Sequence, residues 1–304
     1  MPCYHPLQGY KSQEKNPSGK RSIVFNLRDA YSDMKIQVPC GQCIGCRLEK
    51  SRQWAIRCTN EASLYENNCF ITLTFNDKYL PSDGSLNKPD FQKFIKRLRK
   101  RFPNQKIRYF HCGEYGDKLS RPHHHACLFN IDFPDKKPLP SNNKLFTSEI
   151  LDSLWSHPET KESLGFSTIG EVNFETAAYV ARYVTKKITG KLAEGHYCGR
   201  TPEYVTMSRR PGIGHDWFIK NRADVFPQDF IIIRQGKKCK PPKYYDTQLD
   251  LTNPKAMSKI KHIRERTARE SEHNTPERLD VREIVTIART KPIKRSYEHG
   301  QTNL

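Results

Sequence analysis

From Phe70 onward the apolar residues switch repeatedly between strand-like and helix-like spacing. The order of those switches restricts the fold more than any single motif. Phe70-Ile71-Thr72-Leu73-Thr74-Phe75 is a β-branched and aromatic run that reads as a strand. Leu86 to Phe102 reads as a helix, opened near Asn87-Lys88-Pro89 and stopped before Pro103. Ile107 to Glu114 is a second strand, Tyr115 to Pro122 a short polar turn, and His123 to Ile131 a third strand. A proline-rich loop, Phe133 to Pro140, precedes a helix over Thr147 to Trp155 with Thr147 as its cap. Phe166 to Phe174 then reads as a strand, and Glu175 to Ile188 as a helix ended by Gly190.

The order β-α-β-β-α-β is that of a split βαβ unit. The expected class is therefore α+β and ferredoxin-like, with a central antiparallel sheet and helices on one face. The flanks read differently. Residues 1–45 carry Pro2, Pro6, Pro17, Gly19 and Pro39 and read as loop, while Cys46 to Glu66 lacks Pro and Gly and reads as a helix. Lys237 to Lys243 looks like a linker, and residues 254–304 like a charged, partly helical tail outside the core. The expected domains are a Cys-rich segment and helix over 1–66, an α+β domain over 67–235, and a basic linker and tail over 236–304.

Lys plus Arg total 52 against 33 Asp plus Glu, leaving +19 with His neutral. That balance selects a polyanion as partner, nucleic acid first. The longest aliphatic or aromatic run is Phe230-Ile231-Ile232-Ile233, far short of the ~20 residues that span a bilayer. No membrane association and no secretion are expected. In a reducing cytosol the 10 cysteines serve as metal ligands or core residues more readily than as disulfides.

Arg121-Pro122-His123-His124-His125-Ala126-Cys127-Leu128-Phe129 is the sharpest motif. Alternate residues of a strand share a face, so His123 and His125 point together and His124 points away. If the preceding strand pairs as a hairpin, Glu114 reaches the same face, with Glu171 as the competing third ligand. Two imidazoles and one carboxylate suit a divalent ion that must also accept phosphate oxygens, Mg²⁺ or Mn²⁺. In the last helix Tyr179 and Tyr183 stand one turn apart on one face, followed by Lys186 and Lys187. A tyrosine oxygen can attack phosphorus, and a nearby cation can stabilise the phenolate or the leaving group.

Together, Phe70 to Phe75, Glu114, His123-His124-His125 and Tyr179-Val180-Ala181-Arg182-Tyr183-Val184-Thr185-Lys186 resemble the three motifs of HUH endonucleases. The tyrosine pair is similar to that of rolling-circle initiators of small single-stranded DNA phages. Val38-Pro39-Cys40-Gly41-Gln42-Cys43-Ile44-Gly45-Cys46-Arg47 and Met207-Ser208-Arg209-Arg210-Pro211-Gly212-Ile213-Gly214 extend the resemblance to the gokushovirus branch of the Microviridae, over roughly residues 1–245. Arg182 departs from the Lys that related initiators often carry. The resemblance implies an HUH endonuclease fold and a protein that nicks the viral origin through a 5′-phosphotyrosine, frees a 3′-OH primer and later rejoins the strand. It implies single-stranded and origin DNA as substrate, a host helicase and DNA polymerase as partners, and the host bacterial cytoplasm as location. The sequence has no Gly-rich P-loop that would supply a helicase of its own.

Cys40-x-x-Cys43-x-x-Cys46 fits a metal knuckle, with Cys3, His5 or Cys58 as the fourth ligand and Zn²⁺ or an iron–sulfur cluster as the occupant. Residues 91–113 hold Lys93, Lys96, Arg97 and Lys100 among several basic residues and no acid, a surface suited to phosphates. Arg209 and Arg210 are further phosphate contacts. Two other functions fit parts of the pattern: a non-catalytic, zinc-stabilised nucleic-acid-binding protein, and an HUH transposase or relaxase.

Overall fold

The computed structural model describes residues 3–17, 19–116, 119–140, 142–186, 192–233 and 236–290, without the side chains of 143, 182–186 and 192. These residues form two compact units, one from 3–49 with 261–290 and one from 50–260.

The N-terminal stretch folds into β1 (Leu7–Lys15), β2 (Arg21–Val24) and β3 (Ile36–Val38), an antiparallel sheet of order β2-β1-β3. This corrects the loop expected over residues 1–45. β1 reads Leu-Gln-Gly-Tyr-Lys-Ser-Gln-Glu-Lys, so polar residues occupy most of its length and it gives no apolar alternation to detect. α1 (Ile44–Ala62) follows.

The second unit is built on a seven-stranded sheet. Its centre is β4 (Asn68–Leu73), β5 (Arg108–Tyr115), β6 (Pro122–Phe129) and, later in the chain, Ser167–Gly170. Between β4 and β5 lies α2 (Lys88–Arg101), which buries Phe91, Phe94, Ile95 and Leu98 at i, i+3, i+4 and i+7. Short strands β7 (Lys137–Leu139) and β8 (Asn142–Thr147) come next, then α3 (Glu149–Leu154), β9 (Ser167–Gly170), α4 (Phe174–Lys186), α5 (Leu192–Tyr197) and β10 (Tyr204–Met207). The sheet order is β10-β5-β6-β4-β9-β8-β7, and each pairing in it is antiparallel. Its four central strands follow the order that a split βαβ unit dictates. β7 replaces part of the expected loop, and β8 lies between that loop and the expected helix; Pro138 is tolerated because β7 is an edge strand. Ser148, not Thr147, caps α3, accepting from the Leu151 N–H at 3.1 Å.

Helices cover both faces of this sheet rather than one. Cys69, Ile71, Leu73, Ala126 and Leu128 pack against the apolar stripe of α2 and against Leu151 and Trp155. The alternate residues Phe70, Phe110, Cys112, Cys127 and Phe129 pack against Ala55 and Cys58 of α1 and Ala177, Val180 and Ala181 of α4. A strand's period of two gives each face an apolar set, and both sets need a partner layer.

Beyond the sheet, α6 (His215–Val225), the pair β11 (Ile231–Ile232) and β12 (Lys238–Cys239), α7 (Lys243–Thr252) and α8 (Pro254–Arg269) complete the chain up to α9 (Pro276–Thr290). Phe218, Tyr245, Leu249, Met257 and Ile260 form a third buried cluster. The expected linker therefore holds β12, and the start of the expected tail contributes to a core.

A buried ion pair ties the start of β5 to α1. Arg108 Nε donates to Glu61, the two side chains being 4% and 1% exposed, and Glu61 also accepts the Gly214 N–H at 2.6 Å. Arg108 Nη2 donates to the Pro211 carbonyl at 2.9 Å. Removing one partner strands the other charge in the interior, which costs about 3–5 kcal/mol. Glu61→Ala is therefore expected to lower the unfolding free energy by that amount in a urea titration. A loss below about 1 kcal/mol, the value of an exposed pair, would contradict the burial argument.

Candidate active site

β5 and β6 pair with Glu114 opposite His123 and Cys112 opposite His125. The pleat then sends Glu114, His123 and His125 to the face covered by α1 and α4, with His124 on the other. His123 Nε2 and His125 Nε2 each lie 2.8 Å from the same oxygen, Glu114 Oε1. All three ligand atoms fall within 4.8 Å of one another.

The remaining ring nitrogens are also engaged. His123 Nδ1 sits 3.0 Å from the Arg121 carbonyl, and His125 Nδ1 2.9 Å from the Thr72 hydroxyl. A carbonyl only accepts, so His123 Nδ1 carries a proton, and Nε2 is the ring atom turned to Glu114. The donor set, two nitrogens and an oxygen with their outer partners in place, fits a divalent cation. Burial raises the Glu114 pKa, but the charge and hydrogen bonds of His123 and His125 outweigh it and hold the carboxyl below its ordinary value. Glu171, the competing ligand, is exposed, and the cluster contains Glu114 instead.

His124 packs on the α2 side. Its Nδ1 lies 3.2 Å from His111 Nε2, its ring meets Trp155 edge-on at 5.7 Å, and burial pushes its pKa down to about 3. It stays neutral and serves the core. Phe70 stacks on His125 at 5.6 Å between ring centroids.

α4 begins with a reciprocal cap: the Thr176 N–H donates to Asn173 Oδ1 and the Asn173 N–H to Thr176 Oγ1, both at 2.9 Å. Ser51 of α1 donates to the Ala178 carbonyl at 2.9 Å. So anchored, the helix sets Tyr179 with its ring 5.1 Å from that of His125, edge-on, and 6.2 Å from Phe70. Tyr179 is 1% exposed. The backbone of Tyr183 and Lys186 continues the helix; their side chains and all of Lys187 lie outside the described residues.

Thr72 lies within the Phe70 to Phe75 run, but nothing in that run marks it as a partner of His125. It enters only through the pairing of β4 with β6, where it stands opposite His125. Outer partners of metal ligands are worth about 10–100-fold in metal affinity. Thr72→Val is expected to weaken Mn²⁺ binding by such a factor in calorimetry; unchanged affinity would remove Thr72 from the site.

The second constellation lies in the other unit. The sulfurs of Cys3, Cys40, Cys43 and Cys46 fall within 4.8 Å of one another. Gly41, at φ +77°, turns the loop, and α1 starts at Ile44 so that Cys46 sits in its first turn. Backbone N–H groups point at the sulfurs: Cys40 N at 3.2 Å from Cys3 Sγ, Tyr4 N at 3.4 Å from Cys43 Sγ, and Cys43 N at 3.3 Å from Cys40 Sγ. Burial raises the Cys43 thiol, but the backbone N–H groups of Tyr4 and Cys46 and the thiols of Cys40 and Cys46 bring it down to about 6; burial pushes Cys46 and Cys3 up. Of the three options for a fourth ligand the structure selects Cys3. His5 pairs with Glu283 at 2.6 Å, and Cys58 is buried in the sheet unit.

A family model described as replication-associated protein ORF2/G2P matches residues 68–188, the stretch that carries the histidines and tyrosines. The replication-associated protein ORF2 of Spiroplasma virus 4 is 33% identical over 271 residues, covering 82% of this chain and 81% of its own. Replication-associated protein VP4 of Bdellovibrio phage phiMH2K is 32% identical, covering 84% of this chain and 79% of its own. The chain belongs to the replication-associated proteins of the Microviridae. A third relative, ORF4 of Chlamydia phage 1, is 30% identical over 73% of this chain and 56% of its own. No solved structure matches significantly.

In this replication-associated protein the expected phosphate contacts scatter. Lys93, Lys96 and Lys100 are exposed on α2, across the sheet from Glu114, His123 and His125. Arg97 is half-buried, and its Nε donates to the Leu154 carbonyl at 2.8 Å, a packing role. Arg209 and Arg210 are exposed just after β10. The Ser208 N–H bonds to the Tyr109 carbonyl at 3.0 Å, so this pair stands near the far end of β5, about 17 Å along the strand from Glu114. Among the described residues no helix is long and apolar enough to cross a membrane.

Proposed function

We propose that this chain initiates rolling-circle replication as a tyrosine DNA endonuclease and strand transferase. The observation that carries the reading is the convergence of His123 and His125 on the Glu114 carboxylate, with the Tyr179 ring set against His125. A divalent cation, Mg²⁺ or Mn²⁺, held by these three residues would polarise the scissile phosphate. Glu114 neutralises charge, and the Arg121 carbonyl and Thr72 hydroxyl fix the imidazoles.

One phenol oxygen, of Tyr179 or Tyr183, attacks phosphorus. The P–O3′ bond breaks, the phenolic proton passes to solvent, and the departing 3′ oxygen takes up a proton. The 5′ end stays on the protein as a phosphotyrosine ester, and the freed 3′-OH primes synthesis. After one round the second phenol cuts the regenerated origin, and the new 3′-OH attacks the first ester to close a circle. The ester keeps the energy of the broken bond, so no nucleotide is consumed. Lys186 and Lys187, which follow in the sequence, stabilise phenolate or leaving-group charge. The same reading gives the protein single-stranded origin DNA as substrate, host helicase and polymerase as partners, the bacterial cytoplasm as its place of action, and Zn²⁺ as the ion of the four-thiol cluster.

The test is incubation of the purified chain with end-labelled single-stranded viral DNA and Mn²⁺. A denaturation-resistant protein–DNA band is expected with the cation and none without it. No such band at any divalent-ion concentration would overturn the reading.

A further inference from the structure

The N-terminal sheet leaves one face uncovered, and that face is aromatic and cationic together. β2 alternates, so Arg21 and Ile23 share a side; Ile23 pairs with Lys11 and Arg21 with Lys15, the register shifting between the two pairs at a bulge in β1. Gly9 shows where Phe25 lies: a Cβ added there would stand 2.9 Å from Ile23 Cγ2 and 3.5 Å from Phe25 Cε1, so both side chains lean over the bare glycine. Arg21 then reaches across β1, its guanidinium 3.8 Å from the centroid of the Tyr31 ring, with Nη1 donating to the Ser12 carbonyl at 2.9 Å. Phe25 is 61% exposed and Tyr31 65%. Tyr31 holds the Arg21 guanidinium and Phe25 rests against Gly9, yet both rings keep most of their surface open, more than those contacts need.

We propose that this face is a stacking platform for single-stranded DNA, separate from the nicking site. Bases stack on Phe25 and Tyr31, while Lys11, Lys15 and Arg21 meet the phosphates. The charge decides the occupant. The paired positions of the face carry three cations and no carboxylate. A second copy would set like charges against each other, whereas a polyanion is complementary. A duplex keeps its bases stacked inside, so only an unpaired strand can offer them to open rings. The inference stands apart from the phosphotyrosine chemistry, because it concerns binding by the other unit.

The experiment compares the full, metal-loaded chain with Phe25→Ala/Tyr31→Ala by fluorescence anisotropy on a labelled oligothymidylate and on a duplex of equal length. Each lost ring removes a base-stacking contact, so single-strand affinity is expected to fall at least about tenfold, with duplex affinity unchanged. Phe25→Trp is expected to keep the affinity and to add emission, over that of the native tryptophans, which the oligonucleotide quenches; this keeps the proposal testable should the alanine variant misfold. Unchanged single-strand affinity in the alanine variant would overturn it, as would added indole emission in Phe25→Trp that saturating oligonucleotide leaves unquenched. So would loss of self-association in sedimentation without loss of DNA binding. Adduct formation by the wild type on saturating DNA is scored separately, so a failure of nicking and a failure of the platform are told apart.

Discussion

His125→Ala is expected to slow adduct formation with labelled origin strand and Mn²⁺ by about a thousandfold or more, a barrier increase of about 4 kcal/mol. The side chain is 3% exposed and combines three functions. Its Nε2 faces Glu114 Oε1 at 2.8 Å, its Nδ1 meets the Thr72 hydroxyl, and its ring supports both Phe70 and Tyr179. In the proposed site alanine removes one of the three cation-holding side chains and the surface against which Tyr179 is held. Glu114→Gln should act similarly through one change only, because an amide keeps the shape and discards the charge. Binding of a single-stranded oligonucleotide without divalent ion is expected to stay within about twofold of wild type in both variants, since phosphate contacts carry that affinity. Adduct formation at close to the wild-type rate would move the cation site elsewhere.

The second large effect is on the thiol cluster. Purified chain is expected to hold a zinc ion in that cluster, and Cys43→Ser to lose it. Structural zinc in small peptides contributes about 10–16 kcal/mol, and such peptides are unfolded without it. Among the described residues the unit it serves has a small core: a three-stranded sheet, the start of α1, the end of α8 and α9, the bond from Tyr4 to Thr286 at 2.7 Å, and Tyr4, Ala30 and Leu279 as buried apolar residues besides Cys3. Limited proteolysis of Cys43→Ser should therefore cut within residues 3–49 and 261–290 while residues 68–186 resist. Wild type free of zinc, or a serine variant that retains it with the same protease pattern, would contradict this account.

The legible parts of the fold are those where apolar periodicity and a short connection act together. The β5–β6 hairpin is local, so Glu114 and His123 can be paired from the sequence, and with them His125. The strand order follows from the succession of periods. Thr72 is not legible, because it meets His125 through the non-local pairing of β4 with β6. Nor is the side on which α2 lies: a period of two says that neighbours alternate, not which helix covers which face. For the same reason charge alone groups Lys93, Lys96 and Lys100 with the site although the sheet separates them from it. α7 is hidden by Lys237 to Lys243, whose two prolines read as a linker; Pro242 instead immediately precedes the helix, where a missing N–H costs nothing. The sheet β2-β1-β3 is hidden because its exposed face is not a core.

The central claim is that α4 presents a tyrosine nucleophile to a phosphate held at Glu114, His123 and His125. It is tested most directly by digesting the Mn²⁺-dependent protein–DNA adduct and identifying the residue that carries the nucleotide by mass spectrometry. The nucleotide should be found on Tyr179 or Tyr183, with no adduct in Tyr179→Phe/Tyr183→Phe even though that variant still binds the oligonucleotide. A nucleotide on any other residue, or an undiminished adduct in the double variant, would contradict the account.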